Sequence, residues 1–350
     1  GLTALTLAKA LVNQNIFVDL VLSERKFKNN NSRTIGISKS NCEYFNENII
    51  NINKIIWKLK KIEIYSDNLV NEKILNFEND EDQLFSITKN KQIYGILNKS
   101  LLKNKLFKKT KFKEKYLNSD KYNLIINTDF NTNLTKKYFS RKIKKTYNSS
   151  AYTTIINHER ISNNVAIQIF TKFGPLAFLP LSSNKTSIVY SVSNPKKNND
   201  DKIVELIKKY NFKYKIKKFD KINVFDLKSF ILRSYYHKNI LAFGDLLHRI
   251  HPLAGQGFNM TIRDIKTLVN IINKKINLGM PIDSSVNKEF EKNLRHKNYI
   301  FLNGIDLIHE FFNFERKFNS TVLTKSIKFL GRNPSVNKMF TSIADKGINF

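Results

Sequence analysis

Between Leu241 and Asp264 the chain reads LAFGDLLHRIHPLAGQGFNMTIRD. An apolar run ends in Gly244-Asp245, crosses a loop rich in Pro and Gly, and enters an amphipathic segment. A carboxylate at a strand end, here Asp245, can accept hydrogen bonds from the hydroxyls of a ribose or ribityl chain. Gly244 frees the turn beside it and Pro252 stiffens the loop. Gly255 and Gly257 let bare backbone amides approach a second group with no Cβ in the way. From Asn259 to Lys274 the spacing of Ile262, Ile265, Val269 and Ile272 predicts a helix with one apolar face. Its positive N-terminal end points back into the loop and favours an anion or a reduced, negatively charged ring edge. A dinucleotide carrying a flat ring needs both the carboxylate and the bare amides. A purely structural Gly-rich turn is the competing reading, and the ordered co-occurrence of all three parts favours function. His248 and His251 flank the loop. Neither has a carboxylate or nucleophile at motif spacing, so both are expected to brace the loop rather than move protons.

A second set of residues lies at the start. Gly1 opens a helical pattern with Leu5, Ala8 and Val12 on one face, followed by the strand-like run Ile16 to Leu22 closing at Ser23-Glu24. This is the second half of a βαβ unit. In a dinucleotide-binding unit the glycine permits close helix packing, and an acid about 20 residues on bonds the ribose hydroxyls. Gly1 and Glu24 fit those places. The first strand and first two glycines of such a unit are not in the sequence, so a missing N-terminal piece is expected. Arg33, ahead of Thr34-Ile35-Gly36-Ile37-Ser38, can reach a phosphate or cover a bound ring, or simply be solvated.

These residues must be positioned by a chain of 350 residues, 41% of them hydrophobic, long enough for one large domain or two intimately joined ones. No apolar run reaches about 18 residues, so no spanning helix is expected, and no signal peptide pattern opens the chain. A single cysteine, Cys42, excludes an internal disulfide framework and is expected to be a small packed residue in a reducing, cytoplasmic setting. The net charge of +31 comes from lysines scattered among abundant Asn and Ile, as a compositional bias would give, and nucleic-acid binding is not expected. The clusters Lys103 to Lys115 and Arg141 to Lys145 favour contact with anionic lipid head groups as a secondary property.

Periodicity predicts a helix over 38–60, with Ser38 or Ser40 as N-cap, and short strands over 61–100. Tyr122 to Asn127 reads as a compact strand broken at Thr128-Asp129. Four β-rich runs, YTTIIN, VAIQIFT, LAFLPL and TSIVYSV, predict an antiparallel sheet over 151–193. A helix over 201–210, strands near 222–232 and 239–243, and helices beyond 261 complete a mixed α/β chain.

At this point a family becomes recognisable. GDLLHRIHPLAGQGFNMTIRD resembles the third FAD motif of the class A aromatic-ring flavoprotein monooxygenases, and more closely that of the ubiquinone-biosynthesis hydroxylase family. GLTALTLAKAL is similar to the helix after that family's first glycine motif, and SRTIGIS to its arginine-containing segment. FTKFGPLAFLPLSSNKTSIVYSV is similar to its Gly-Pro-Leu-Ala-x-Leu-Pro strand pair. The resemblance implies a Rossmann-like FAD-binding domain of the para-hydroxybenzoate hydroxylase type, an inserted antiparallel β-sheet substrate domain and a helical C-terminus. The implied division is an FAD-binding part over 1–60, a cap segment over 61–120, a return to the FAD-binding part over 121–150, the substrate sheet over 151–235, the Gly-Asp motif and helix over 236–275, and C-terminal helices over 276–350.

The implied activity is hydroxylation of a polyprenylated phenol with O2 and NADH or NADPH, through a flavin C4a-hydroperoxide, with FAD rather than a protein side chain or a metal performing the oxidation. Carried onto this chain, Gly1 and Glu24 would serve the adenosine end, Arg33 would contact FAD and Gly244-Asp245 the ribityl region. Pro252 would sit by the ring, and the backbone from Gly255 through Gly257 to Asn259 would face its pyrimidine edge. Phe173, Leu176, Phe178 and Leu179 are the implied apolar substrate contacts. Other ubiquinone-biosynthesis proteins and an anionic inner membrane are the implied partners. One departure stands out: NLIINTDFN falls where the family has an Asp-Gly motif that contacts FAD and the nicotinamide cofactor. Asp129 is present, but Phe130 replaces the glycine and does not readily take φ > 0. Altered reductant use or a rebuilt turn would follow. The alternative reading is a non-catalytic or degenerate flavoprotein scaffold of the same assembly.

Overall fold

The structure, a computed structural model, describes residues 1–22, 33–67, 73–78, 83–111, 121–193, 199–250, 255–318, 325 and 333–347. Glu24, His251 and Pro252 lie outside these residues.

The chain begins with helix α1 (Leu2–Val12) and strand β1 (Val18–Leu22), then β2 (Thr34–Ser38), α2 (Lys39–Asn48), β3 (Trp57–Leu59), β4 (Lys61–Ser66), β5 (Lys73–Glu78) and β6 (Phe85–Lys89). Next come α3 (Asn90–Leu102), β7 (Phe107–Lys111), β8 (Ile125–Asn127), α4 (Asn133–Tyr138), β9 (Lys142–His158), β10 (Val165–Thr171), β11 (Gly174–Ser182) and β12 (Lys185–Ser193). Then follow α5 (Asp200–Tyr210), β13 (Ile216–Phe219), β14 (Asn223–Leu232), β15 (Tyr236–His237), β16 (Ile240–Ala242), a 3-10 turn at Gly244–Leu246 and β17 (His248–Arg249). Three helices close the described chain: α6 (Gln256–Asn277), α7 (Ser284–Phe318) and α8 (Pro334–Lys346).

The expected helix-then-strand opening is present: α1 buries Leu5, Ala8 and Val12 and leads to β1, which pairs in parallel with β7. The expected helix over 38–60 is shorter. It ends at Asn48, where Asn13 Nδ2 from the end of α1 donates to the Asn48 and Ile49 carbonyls, both at 2.9 Å. Beyond it lies β3 rather than helix, because Trp57 and Leu59 pair with Ile87 and Phe85 of β6. The stretch 61–100, expected as strands, ends in the 13-residue helix α3, whose Ile93, Leu97 and Leu101 recur at intervals of four and are fully buried. Cys42 is buried, as expected of a packed thiol, and burial pushes its pKa up.

The predicted antiparallel sheet is larger than its four runs. It has nine strands, in the order β17-β14-β9-β12-β11-β10-β4-β5, with β13 also on β9. Only the β10–β4 pairing is parallel; the others are antiparallel. One face is sealed by α5, whose Ile203, Leu206 and Ile207 pack on Ile167, Leu176, Phe178, Ile188 and Tyr190. A separate core joins α1, α3, α6, the α2 region and the β8/β16 strands, with Ile262, Ile265, Val269 and Ile272 of α6 buried in it as the spacing predicted. Among the described residues no helix is long and apolar enough to cross a membrane.

Candidate functional site

Two strand ends define the site's first half. β8 and β16 run parallel, with Ile125 opposite Ile240 and Asn127 opposite Ala242, so both carboxyl ends meet one edge. The Phe243 N–H donates to the Asn127 carbonyl at 2.9 Å and carries this pairing into the exits. One exit leads to Asp129, the other to Gly244-Asp245. The crevice outside such carboxyl ends is where open α/β sheets bind ligands. Gly244 has φ +64°, and a Cβ there would lie 2.4 Å from Thr3 Cγ2, so only glycine lets this turn seat on the first turn of α1. Gly1, the N-cap of α1, is thereby brought to the same edge. Asp245 is exposed and makes no hydrogen bond or ion pair among the described residues.

Asp129 is held differently. Its N–H donates to Asn127 Oδ1 at 3.0 Å, its Oδ1 accepts the Asn131 N–H at 2.9 Å, and its carbonyl accepts the Thr135 hydroxyl at 2.5 Å. The carboxylate is therefore spent partly on its own turn. Phe130 takes no positive φ. Its ring stands edge-on to Phe230 at 5.8 Å, with Lys142 Nζ 5.5 Å above one ring and 4.6 Å above the other. Phe130 thus sits in a turn packed by an aromatic pair and a cation.

The second half is the start of α6. Gly255, at φ +64°, is its N-cap, and a Cβ there would meet Gly36 Cα of β2 at 3.7 Å. Asn259 locks the two segments together. Its Oδ1 accepts the Ser38 N–H at 2.9 Å and Asn41 Nδ2 at 3.1 Å, while its Nδ2 donates to the Gly36 and Gly255 carbonyls at 3.2 and 3.4 Å. This side chain is fully committed inside the protein, so only its backbone position is available to a ligand. Gly257 is open, with nothing within 4 Å of an added Cβ. The first turn of α6 has no acidic residue and no side-chain cap, which leaves the positive end of a 22-residue helix free to meet an anionic edge. Arg33 is exposed at the entry to β2, the strand that carries Gly36.

His248 has the carboxylate partner that motif spacing did not supply. Its Nε2 lies 2.5 Å from Asp264 Oδ2, 16 residues on, and both side chains are about 1% exposed. Asn298 Nδ2 approaches the other oxygen of Asp264 at 3.5 Å. The pair ties β17 to α6 across the loop. The sequence signal was an acid on the buried side of α6, one residue before Ile265.

The four residues expected to contact substrate separate by strand parity. Leu176 and Phe178 point under α5 with Tyr190 and Ile188, and Phe173 packs against the same cluster. They lie on the face away from α6. Leu179 is on the opposite face, with Leu59, Phe85, Ile87 and Ala166. That face continues to Phe170, which packs with Met260 of α6 and Phe301 of α7 beside Ile64 and Ile250. Sequence reasoning missed Phe170, Met260 and Phe301. The parity of β10 against β11, with Ile167 opposite Phe178 and Phe170 opposite Pro175, is the signal that separates the faces.

Residues 139–278 match the family described as FAD binding domain. The chain is 25% identical over 230 residues to "Ubiquinone biosynthesis monooxygenase COQ6, mitochondrial" of Schizosaccharomyces pombe, covering 53% of this chain and 48% of that protein. It is 30% identical over 149 residues to the 3-demethoxyubiquinol 3-hydroxylase of Escherichia coli, covering 41% of this chain and 38% of that protein. By sequence, the chain is similar over these stretches to ubiquinone-biosynthesis FAD-dependent hydroxylases, at modest identity. It spans about half or less of the length of these curated relatives. The fold is that of the FAD-dependent monooxygenases. Against p-nitrophenol 4-monooxygenase PnpA of Pseudomonas putida the TM-score is 0.75 at 12% identity, covering 97% of this chain and 93% of that one. Against Klebsiella pneumoniae HpxO complexed with FAD and uric acid it is 0.73 at 10% identity, covering 99% and 95%. FAD suits the groups present: a strand-end carboxylate with no partner among the described residues, a glycine-cleared helix start and a helix N-terminus with no side-chain cap.

Proposed function

We propose that this protein is an FAD-dependent monooxygenase that hydroxylates the ring of a polyprenylated phenol in ubiquinone biosynthesis, using O2 and NADH or NADPH. The observation that carries the reading lies within the stretch matching an FAD binding domain: Asp245, without a partner among the described residues, on one side, and the start of α6, without a side-chain cap, on the other. Bound FAD supplies the activation of O2 and the transfer of one oxygen atom. The protein's part is binding and orientation. Asp245 accepts hydrogen bonds from ribityl hydroxyls, the N–H groups at the start of α6 face an electron-rich ring edge, and Gly1 and Asp129 border the same crevice. Phe170, Met260, Phe301 and Leu179 exclude water from an aromatic ring held between the sheet and α6. The polyprenyl tail and the ubiquinone setting rest on the names of the relatives. The lysine clusters support peripheral contact with an anionic membrane.

The test is titration of the purified protein with FAD, followed in the visible absorption of bound oxidised flavin, and then addition of NADH or NADPH with a prenylated phenol. Stoichiometric flavin, bleaching by the reductant and a product heavier by one oxygen atom are expected. No flavin uptake with FAD in excess would overturn the reading and leave a non-catalytic scaffold.

A further inference from the structure

Helix α8 reaches across the molecule to the start of α2. Asp345 Oδ1 accepts the Ser40 N–H at 2.8 Å, over a sequence separation of 305 residues. The Asp345 carbonyl accepts the Ser38 and Ser40 hydroxyls at 2.9 and 3.1 Å. Ser38 is the N-cap of α2 but makes no capping bond with its own side chain, and the first turn of α2 has no acid. The carboxylate that a helix start favours is supplied instead from α8.

From there the bonds lead on to α6. The Ser38 N–H donates to Asn259 Oδ1, and Asn41 Nδ2 donates both to the Ser38 hydroxyl at 2.9 Å and to that same Oδ1. Asn259 in turn holds the carbonyls of Gly36 and Gly255. Ser38, Asn41 and Asn259 are 1%, 5% and 0% exposed, so water is kept from competing for these bonds. At its other end α8 is tethered to the sheet, where Asn337 Nδ2 donates to the Asn76 carbonyl of β5 at 2.9 Å. Asp345 also has a second neighbour in Arg263. Burial pulls that guanidinium down to about 10, against the charges of Asp264 and Asp345.

We propose that Asp345 is a positioning residue for the flavin site: by holding Ser38 to Ser40 it fixes Asn259, and through it the Gly255 turn at the start of α6. The inference rests on the function proposed above. Three variants of the full chain test it: Asp345→Ala, Asp345→Asn and Asn337→Ala. The readouts are the Kd for FAD, hydrogen exchange over 34–41 and 255–260, and the thermal midpoint. Asp345→Ala is expected to weaken FAD binding about tenfold, the scale of losing a helix cap, and to speed exchange in both segments. Asp345→Asn keeps an oxygen for the Ser40 N–H and is expected to stay within about threefold of the wild type. Asn337→Ala loosens α8 at the sheet end and is expected to lower the midpoint without either effect.

If Asp345→Asn binds FAD as weakly as Asp345→Ala, the charge beside Arg263 governs the site and the proposal falls. Equal weakening in Asn337→Ala assigns the effect to docking of α8 as a whole and also overturns it. If the wild type takes up no FAD, the proposed function fails on its own, and exchange over 255–260 in Asp345→Ala still decides the positioning role.

Discussion

Asp245 and Asp264 are carboxylates of one short segment with opposite surroundings, and they should fail differently. Asp245 is exposed and bonded to nothing among the described residues, so folding gains little from it. Asp245→Ala is expected to change stability by less than about 0.5 kcal/mol while weakening FAD binding at least about tenfold, the scale of a lost charge-assisted hydrogen bond. Calorimetric titration beside a thermal melt separates the two; a large loss of stability with unchanged affinity would make Asp245 structural. Asp264 is buried against His248. Asp264→Ala leaves a buried imidazole without its partner and is expected to cost about 2 to 3 kcal/mol in urea unfolding. Asp264→Asn, which keeps an acceptor, should cost less than half of that; an equal loss would point to charge rather than hydrogen bonding.

At the scale of elements, two glycines divide turn geometry from ligand access. Gly244 needs φ +64° and touches α1, so Gly244→Ala is expected to destabilise the protein by about 2 kcal/mol. Gly257 lies in the first turn of α6 with open space before it. There an alanine should favour the helix by about 0.5 to 1 kcal/mol yet obstruct a ring edge. Melts with and without FAD should show a higher apo midpoint for Gly257→Ala and a smaller FAD-induced increment. An undiminished increment would remove Gly257 from the site. Elements with strong local signals were legible, as in α5, whose Asn199 caps the Lys202 N–H, and in α6 with its apolar spacing. The end of α2 and the start of β3 were not, since both are set by partners elsewhere: Asn13 at one and β6 at the other.

For the whole molecule, the large sheet has one face sealed by α5 and another turned toward α6. Phe178→Ala, under α5, is expected to cost about 3 to 5 kcal/mol in chemical denaturation, with the KM for an aromatic substrate unchanged. Phe170→Ala, on the face shared with Met260 and Phe301, is expected to raise that KM severalfold. Steady-state kinetics at a temperature where both variants stay folded decides this; the reverse pattern would place the substrate on the wrong face.

The sequence by itself determined the order of the parts, because Gly244, Asp245, Gly255, Gly257 and the apolar face of α6 lie in one contiguous stretch where spacing alone dictates turn, loop and helix. It also determined the mixed class, since period-two runs and helical runs were separately visible. Tertiary structure decided the rest. Parity tells which residues of β11 share a face, but only α5 and α6 tell which face is open. The committed state of Asn259, the partner of His248 and the grip of Asp345 on α2 depend on atoms that folding alone brings within hydrogen-bond distance, and burial is what makes those bonds count.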